Sequence, residues 1–329
     1  MSATSPRPVR ERRRPATVDF RPATTADLAA CAEIWRDALN DYMGRLNLPT
    51  IPPEVAAVAR LHAHLLATDP ERFQVAVRRD GPGRAERLIG FGAAARRNGL
   101  WFLSMLFVRP SEQGAGLGRA LLARILPADE AILATATDSA QPVSNALYAT
   151  YGMVPRMPLL SLVGRPTNAG DVEPLPAGVT AVPFEAVASG PPTGDGHRDL
   201  VAAVTALDTE ALGFAHPQDH RFLRDEGRLG FLYRAADGST VGYGYTSEAG
   251  RVGPVAVRDA ALVSGVLGHL LTVVTPRGAS ALWVPGLADR AVVALLRAGL
   301  RLEGFPVLLC WTRQFADFSR YVPISPGLL

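Results

Sequence analysis

The sequence predicts an α/β fold in two tandem domains, each with a central, mostly antiparallel mixed sheet flanked by helices. Its 329 residues, 48% of them hydrophobic, are enough for two cores of about 150 residues each. Hairpin signals at Asn98-Gly99 and Asp237-Gly238 join strand-like runs, which favours antiparallel neighbours. The order of elements in residues 17–165 recurs in residues 178–329, and a repeat of this size indicates a duplicated domain.

In the first half, a strand at 18–21 precedes a helix that begins near Thr24 and Asp27 and continues to Leu39. Prolines separate it from a second helix at 54–66, and Gly and Pro pairs mark a turn at 80–83. Strands are predicted at 73–78, 88–95 and 100–108, and the last is apolar enough to be central and covered on both faces. A helix through Leu117 and Ile125, a strand at 131–136, a helix at 142–151 and a strand at 153–163 complete this half.

The second half follows the same order. Strands are predicted at 179–184, 231–234, 241–245, 255–257 and 281–284, and helices at 200–212, 262–274 and 290–298. Residues 166–177 have the composition of a linker between the two domains. Residues 1–16 are Arg-rich, lack the apolar segment of a secretory signal and are expected to be a disordered tail. The alternative for this tail is an arm that binds nucleic acid or acidic lipid.

The composition excludes several classes of protein. The net charge is only +3, so no strong basic field for nucleic acid is expected beyond the tail. No run approaches the roughly 20 apolar residues of a membrane span. Cys31 and Cys310 are far apart in apolar surroundings, which predicts buried free thiols and a reducing, cytoplasmic location. The six histidines show no metal-ligand spacing, and His62 and His64 would point to different sides of a helix, so no metal is expected.

A glycine-rich turn at residues 113–118 lies between an apolar strand and an apolar-periodic helix. Glycines let the backbone approach an anion, and free amides and the dipole at a helix start favour a phosphate. The alternative is that these glycines serve only the sterics of a strand-to-helix turn. The antiparallel setting differs from a dinucleotide fingerprint, and the chain contains no Lys for a P-loop.

Val108-Arg109-Pro110 followed by Gln113-Gly114-Ala115-Gly116-Leu117-Gly118 resembles the main signature of the GNAT acetyltransferase superfamily. That signature is Gln/Arg-x-x-Gly-x-Gly/Ala after a central strand that ends in Val-x-Pro. The resemblance covers residues 17–165, and a fainter version covers 178–320. It implies an acetyl-CoA site between two splayed parallel strands. The backbone of Leu106, Phe107 and Val108 would bind the pantetheine, and the pyrophosphate would lie on the amides of Gln113, Gly114, Ala115, Gly116, Leu117, Gly118 and Arg119.

The segment from Gln141 to Met153 resembles the second landmark of that family, with Gln and Met where Asn and Phe are usual. Gln141, Ser144, Asn145 and Tyr148 share one helical face and are expected to line the cofactor groove. By the resemblance, Tyr148 is the general acid that protonates the departing CoA thiolate. The alternative is a packing aromatic.

The general base is left open. The strand at 100–108 carries no carboxylate, so the Glu that some relatives use there is absent. Asp138, Asp41 and Glu86 are the candidates, beside a water relay to the backbone.

A gapless overlay of the halves predicts that the second has lost this chemistry. Leu262, Val263 and Leu267 stand on Gln113, Gly114 and Gly118, and Gly265 stands on Gly116. When Gly152 is aligned with Gly299, which shifts this register by two residues, Leu295 stands on Tyr148. The resemblance therefore implies an N-acetyltransferase that moves an acetyl group from acetyl-CoA to a primary amine, with a degenerate second GNAT-like domain. The alternative is a non-catalytic acyl-CoA-binding sensor or interaction module. The expected partner is a small-molecule or peptide amine; membrane and nucleic acid are not expected, and a homodimer is compatible with the sequence.

Overall fold

The computed structural model describes residues 17–79, 86–129, 131–167, 169–189 and 194–329. The Arg-rich tail and the turn predicted at 80–83 lie outside these residues. The first half contains β1 (Thr17–Pro22), α1 (Leu28–Arg45), α2 (Ala56–Thr68), β2 (Phe73–Arg79), β3 (Arg87–Arg97), β4 (Leu100–Val108), α3 (Leu117–Ile125), β5 (Ile132–Asp138), α4 (Pro142–Ala149) and β6 (Val154–Gly164).

The second half contains β7 (Thr180–Pro183), α5 (Phe184–Val187), α6 (Asp195–Leu212), α7 (Pro217–Asp225), β8 (Leu229–Arg234), β9 (Thr240–Thr246), β10 (Val255–Val257), α8 (Val263–Thr272), β11 (Ser280–Pro285), α9 (Asp289–Arg297), β12 (Arg301–Leu302), β13 (Val307–Trp311) and β14 (Tyr321–Val322). Helix α7 and strands β12 to β14 had not been predicted. Helix α7 lacks an apolar stripe because buried Asp219 and His220 stand where apolar residues would mark its inner face.

Two sheets organise the chain. The larger has the order β1-β2-β3-β4-β5-β13-β6-β11, and the smaller has the order β14-β10-β9-β8-β7. Strands β4 and β5 are parallel, and β2-β3 is antiparallel. The β3-β4 and β8-β9 pairs are antiparallel, as the hairpin signals at Asn98-Gly99 and Asp237-Gly238 predicted. The mixed sheet flanked by helices therefore agrees with the fold class expected from the sequence.

The two halves exchange their last strands. Strand β6 of the first half pairs with β11, with Ser161 opposite Trp283. Strand β13 of the second half inserts between β5 and β6, with Val307 opposite both Asp138 and Leu159. The larger sheet thus continues across the two halves, and the domain bounds 17–165 and 178–329 stay a prediction about the repeated units.

Strand β4 is buried from both sides, as its apolar sequence predicted. Leu100 and Phe102 belong to the core under α1 and α2, and Trp101 and Leu103 pack with Leu122 of α3 on the other face. Helix α3 comes so close to β3 that a Cβ on Gly92 would lie 3.1 Å from Ile125. These contacts fix α3, and with it the turn that precedes it, against the sheet.

Two further expectations concern the whole chain. Cys31 and Cys310 are both buried and free, as predicted. Among the described residues, none of the helices combines the length and the apolar character needed to cross a membrane.

Candidate acyl-CoA site

Strands β4 and β5 separate before β4 ends, and we call the gap between them the groove. The two strands pair from Leu100 opposite Ile132 to Leu103 opposite Thr135, and the Thr135 hydroxyl donates a hydrogen bond of 2.9 Å to the Leu103 carbonyl. Beyond this point β4 continues to Val108 and stays paired with β3 on its other edge. Among the described residues, no strand pairs with the β5-facing edge of β4 beyond Leu103, so part of its backbone is open to a ligand. The sequence had placed pantetheine contacts at Leu106, Phe107 and Val108. The backbone of Leu106 and Val108 faces this edge, where the Val108 carbonyl accepts a hydrogen bond of 3.1 Å from the Gln113 side chain, whereas Phe107 pairs with Phe91 of β3.

The glycine turn lies at the end of this edge. Gly114 and Gly116 have φ values of +84° and +78°, a region that glycine adopts without steric cost. A Cβ at Gly114, Gly116 or Gly118 would meet no protein atom within 4 Å, so bare backbone faces open space. Helix α3 begins at Leu117, and the amides of its first turn lack partners within the helix. Together with the helix dipole, they form a site suited to a pyrophosphate.

A buried ion-pair group holds this turn in place. The Glu112 carboxylate, 6% exposed, accepts hydrogen bonds of 2.9 Å from Arg78 and 2.8 Å from Arg87. Arg109 donates a hydrogen bond of 2.9 Å to the Leu88 carbonyl. The turn is therefore tied to β2 and β3 on its protein side. Sequence reasoning missed Glu112, although a carboxylate directly before a glycine run is the signal that could have marked it.

Helix α4 borders the groove from the side of β5. The Asn145 side-chain amide donates hydrogen bonds of 3.0 Å to the Asp138 carbonyl and 2.8 Å to the Gln141 carbonyl. Asn145 thus anchors the start of α4 to the end of β5. Gln141, Ser144 and Asn145 are half-buried along the predicted face, and Tyr148 is buried.

Tyr148 lies close to the point where the strands separate. Its ring, 6% exposed, packs with Trp101, Leu103, Leu122 and Cys310 on the α3 face of the sheet. Burial raises the pKa of the Tyr148 phenol, and a hydrogen bond with Ser144 offsets this only in part. The phenol therefore stays protonated at neutral pH, and burial makes it a weaker acid than an exposed tyrosine. Tyr151 is half-buried against the same cluster.

The three carboxylates considered as a base occupy different surroundings. Asp41 is exposed, and its carboxylate lies 2.6 Å from Arg45. Glu86 lies at the start of β3, where hydrogen bonds from Arg79 and then Arg21 lower its pKa. Neither is at the groove, and both are neutralised by arginine.

Asp138 is the carboxylate at the groove itself. It is half-buried at the end of β5, and its Oδ1 accepts a hydrogen bond of 2.8 Å from the Ala140 amide. Tyr42 of α1 is next to it. Burial first and the Asp138 carboxylate second raise the pKa of the Tyr42 phenol. Asp138 and Tyr148 approach the groove from opposite faces of the sheet, because α1 covers one face and α3 the other. Tyr42 was missed because nothing distinguishes it from other apolar-face residues of α1.

The second half contributes a wall to this groove. The Ser104 hydroxyl on β4 donates a hydrogen bond of 2.5 Å to the Gly327 carbonyl. A Cβ on Gly327 would lie 3.1 Å from Met105 and 3.3 Å from Leu61. Leu328 and Leu329 are buried in the same core. No local pattern predicted that residues 325–329 lie on β4.

The corresponding place in the second half is closed. A 3-10 turn at Ala260–Leu262 runs directly into α8, with no counterpart of the exposed turn at 113–116. A Cβ on Gly265 would lie 2.7 Å from the Pro174 carbonyl, and one on Gly268 would lie 2.2 Å from the Glu173 carbonyl. The linker therefore packs where an anion would need space. Leu295, the counterpart of Tyr148, is buried in the second core.

Comparisons with known proteins agree with this geometry. Residues 63–158 match a family model described as Acetyltransferase (GNAT) domain. A comparison of the sequence with curated proteins finds no match.

Solved structures share the fold over the whole chain. A putative acetyltransferase from Pyrococcus horikoshii has a TM-score of 0.69 at 14% identity and covers 99% of each chain. A GCN5-related N-acetyltransferase from Sphaerobacter thermophilus has a TM-score of 0.56 at 19% identity, over 92% of this chain and 98% of its own. A tandem GNAT protein from the clavulanic acid biosynthesis pathway has a TM-score of 0.51 at 19% identity, over 90% of this chain and 98% of its own. The predicted tandem α/β fold is thereby confirmed.

Proposed function

We propose that the first half of this chain, which contains the match to the GNAT domain model at residues 63–158 and whose fold is shared with a tandem GNAT protein, transfers an acetyl group from acetyl-CoA to a primary amine. The observation that carries the proposal is the open edge of β4 beyond Leu103, which leads directly to the exposed glycine turn. An extended pantetheine fits the edge through backbone hydrogen bonds, and a pyrophosphate fits the turn. In this proposal the thioester would lie near the separation of β4 and β5.

The proposed reaction uses groups on both faces of the sheet. The neutral amine nitrogen attacks the thioester carbonyl carbon, and the tetrahedral intermediate collapses with cleavage of the C–S bond. The Tyr148 hydroxyl gives its proton to the leaving thiolate. Asp138 accepts the proton that the amine nitrogen loses, and solvent exchange returns both side chains to their starting states. Products are the acetamide and the free thiol of CoA.

The acceptor enters from the side of α1 in this proposal. Tyr42 and Asp138 lie on that side, and the segment around Gly327 forms part of the wall. A primary amine can donate hydrogen bonds to both oxygen atoms while it loses a proton. We assign the acceptor only to the class of small molecules or peptides with a primary amine.

The test is release of CoA thiol. Purified chain is mixed with acetyl-CoA and a panel of aminoglycosides, polyamines, amino acids and peptides, and thiol release is followed with a chromogenic disulfide. Mass spectrometry then identifies the acetylated amine. We expect acceptor-dependent release with at least one class and its loss in Tyr148→Phe. Tight binding of acetyl-CoA, with release no faster than hydrolysis for every amine, would favour the non-catalytic sensor instead.

A further inference from the structure

A buried cluster of possible metal ligands lies outside the acyl-CoA site. Asp208 on α6, His216 before α7 and His220 on α7 are 0%, 1% and 6% exposed. Their ligand atoms all lie within 4.8 Å of one another. His220 Nε2 is 2.8 Å from Asp208 Oδ2, and His216 Nε2 is 3.4 Å from Asp208 Oδ1. One carboxylate and two imidazoles thus converge on a common point.

A second set of side chains orients these three residues. His220 Nδ1 is 2.9 Å from the Tyr245 hydroxyl, and His216 Nδ1 is 3.3 Å from Asp219 Oδ2. The Tyr243 hydroxyl donates a hydrogen bond of 2.5 Å to Asp208 Oδ1. Histidines that bind metals usually direct their other ring nitrogen to such a group, which fixes the tautomer and leaves Nε2 free to coordinate.

His216 provides an independent observation. Both of its ring nitrogens are buried without a hydrogen-bond partner among the described residues. Its nearest polar neighbours are carboxylate oxygens at ion-pair distance, Asp219 at 3.3 Å from Nδ1 and Asp208 at 3.4 Å from Nε2. A buried polar atom without a partner is costly. A cation between His216 Nε2 and Asp208 would supply the missing partner.

The charged side chains around the cluster also favour a bound cation. Arg97 is engaged by Asp219 at 2.7 Å and by Asp69 at 2.8 Å, and Arg72 is 3.9 Å from Asp69 at the rim. Within the described part of the chain, the side chains that could balance Asp208 are the two imidazoles. A buried carboxylate needs a counter-charge, and a metal ion can provide it while both imidazoles remain neutral ligands.

We infer that Asp208, His216 and His220 bind one divalent metal ion of the zinc type. Two imidazole nitrogens and one carboxylate oxygen are ligands that suit Zn²⁺. The role is structural. Asp219 adjoins the cluster and contacts Arg97 and His64 of the first half, so the ion would stabilise the joint between the halves. Arg97 pairs with Leu100 at the start of β4, at the opposite end of that strand from the glycine turn. The expectation that no metal binds overlooked His216 and His220, which have the His-x3-His spacing of many zinc sites. The third ligand, Asp208, joins them only through the packing of α7 against α6.

The first test is the metal content of the full chain, purified without a polyhistidine tag from cells grown with added zinc. Mass spectrometry of metals is expected to give about one zinc per chain after dialysis. His220→Asn should lose the metal, and His197→Asn, on α6 outside the cluster, should retain it. If the parent chain contains no stoichiometric zinc, the second test decides.

The second test adds CoCl₂ or ZnCl₂ to chain treated with a strong chelator. Cobalt is expected to give the intense visible bands of tetrahedral coordination, and ZnCl₂ should displace it and raise Tm. His220→Asn should show neither effect, and His197→Asn should show both. Absence of cobalt bands and of any zinc-dependent rise in Tm in the parent would overturn the proposal. The counter-charge of Asp208 would then be a protonated imidazole.

Discussion

Arg97 at the end of β3 and Asp219 on α7 form a buried, two-pronged ion pair across the two halves. Arg97 Nε donates to Asp219 Oδ2 at 2.8 Å, and Nη2 donates to Oδ1 at 2.7 Å. Both side chains are at most 5% exposed. Together with the exchange of β6 and β13, this pair makes the second half part of the structure that supports the acyl-CoA site.

Arg97→Met should therefore destabilise the chain strongly. Removal of one member leaves Asp69 and Asp219 buried without their cation, which typically costs about 3–5 kcal/mol. Urea unfolding followed by circular dichroism measures the change. Arg96→Met is the matched control, because its partner Asp129 is 59% exposed and such pairs contribute about 1 kcal/mol or less. Equal losses in both variants would contradict a special role for the buried pair.

Gly118→Val should weaken acetyl-CoA binding without loss of stability. Gly118 is helical and has open space at its Cβ, so the side chain meets the ligand rather than the protein. A loss of about tenfold or more corresponds to roughly 1.4 kcal/mol or more of binding free energy. Calorimetry with the parent should give one site per chain, because the linker closes the second half.

Gly44→Val is the control for that variant, since Gly44 is an exposed helical glycine with open space at its Cβ. Gly116 is a poorer choice because its φ of +78° would strain any L-residue. Unchanged affinity in Gly118→Val, or two equivalent sites in the parent, would argue against this placement of the pyrophosphate.

Tyr148→Phe should lower kcat by about 10²–10⁴-fold, the range typical of a general acid. The phenyl ring keeps the packing with Trp101 and Leu103, so acetyl-CoA affinity and Tm should change little. Steady-state kinetics with a competent amine measures the effect. Tyr151→Phe removes a hydroxyl from the same cluster and should be nearly silent. Parent-like turnover in both variants would mean that the proton comes from water or another residue.

Asp138→Asn should lower kcat/KM by about 10²-fold or more if Asp138 accepts the amine proton. The amide oxygen can still accept the hydrogen bond from Ala140, so the end of β5 should keep its structure. Asp41→Asn is the control, as Asp41 pairs with Arg45 away from the groove. Retention of full activity in Asp138→Asn would favour a water relay to the backbone.

His62→Leu should remove an acid-dependent loss of stability. His62 packs edge-on against Phe73 and Phe91 at 0% exposure, and both ring nitrogens lack partners among the described residues. Burial lowers its pKa to about 4, so the unfolded chain binds the proton first as pH falls below about 6.5. The free energy of unfolding thus falls by up to about 3 kcal/mol as the pH falls from about 6.5 to about 4.

The free energies of unfolding at pH 8 and pH 5 test whether His62 causes the loss of stability in acid. The parent should lose more stability at pH 5 than His62→Leu does. His197→Asn should behave like the parent, since His197 lies outside that core. A variant with the same pH dependence as the parent would assign the effect to another group.

The sequence by itself determined the features that depend on neighbours along the chain. The turn at 113–118 was recognisable because glycine is the residue that adopts the positive φ of Gly114 and Gly116 without steric cost. Glycine also lets the main chain approach an anion closely. The face with Ser144 and Tyr148 followed from helical spacing. Most helices and strands were placed because their periodicity is local. Helix α7 was missed because its inner face is polar.

Only the tertiary structure decided which distant residues meet. Strand β13 is short and pairs with β5 and β6. Its composition does not predict these neighbours, because the hydrogen bonds between strands join backbone groups that are the same for most residues. Arg97 and Asp219 are 122 positions apart, and the approach of His216 to Asp208 depends on the packing of α7 against α6. Such buried polar contacts are set by where the elements dock. Local patterns therefore indicated the candidate acyl-CoA site, while the fold alone brought Asp138, the segment at Gly327 and the joint between the halves to their places.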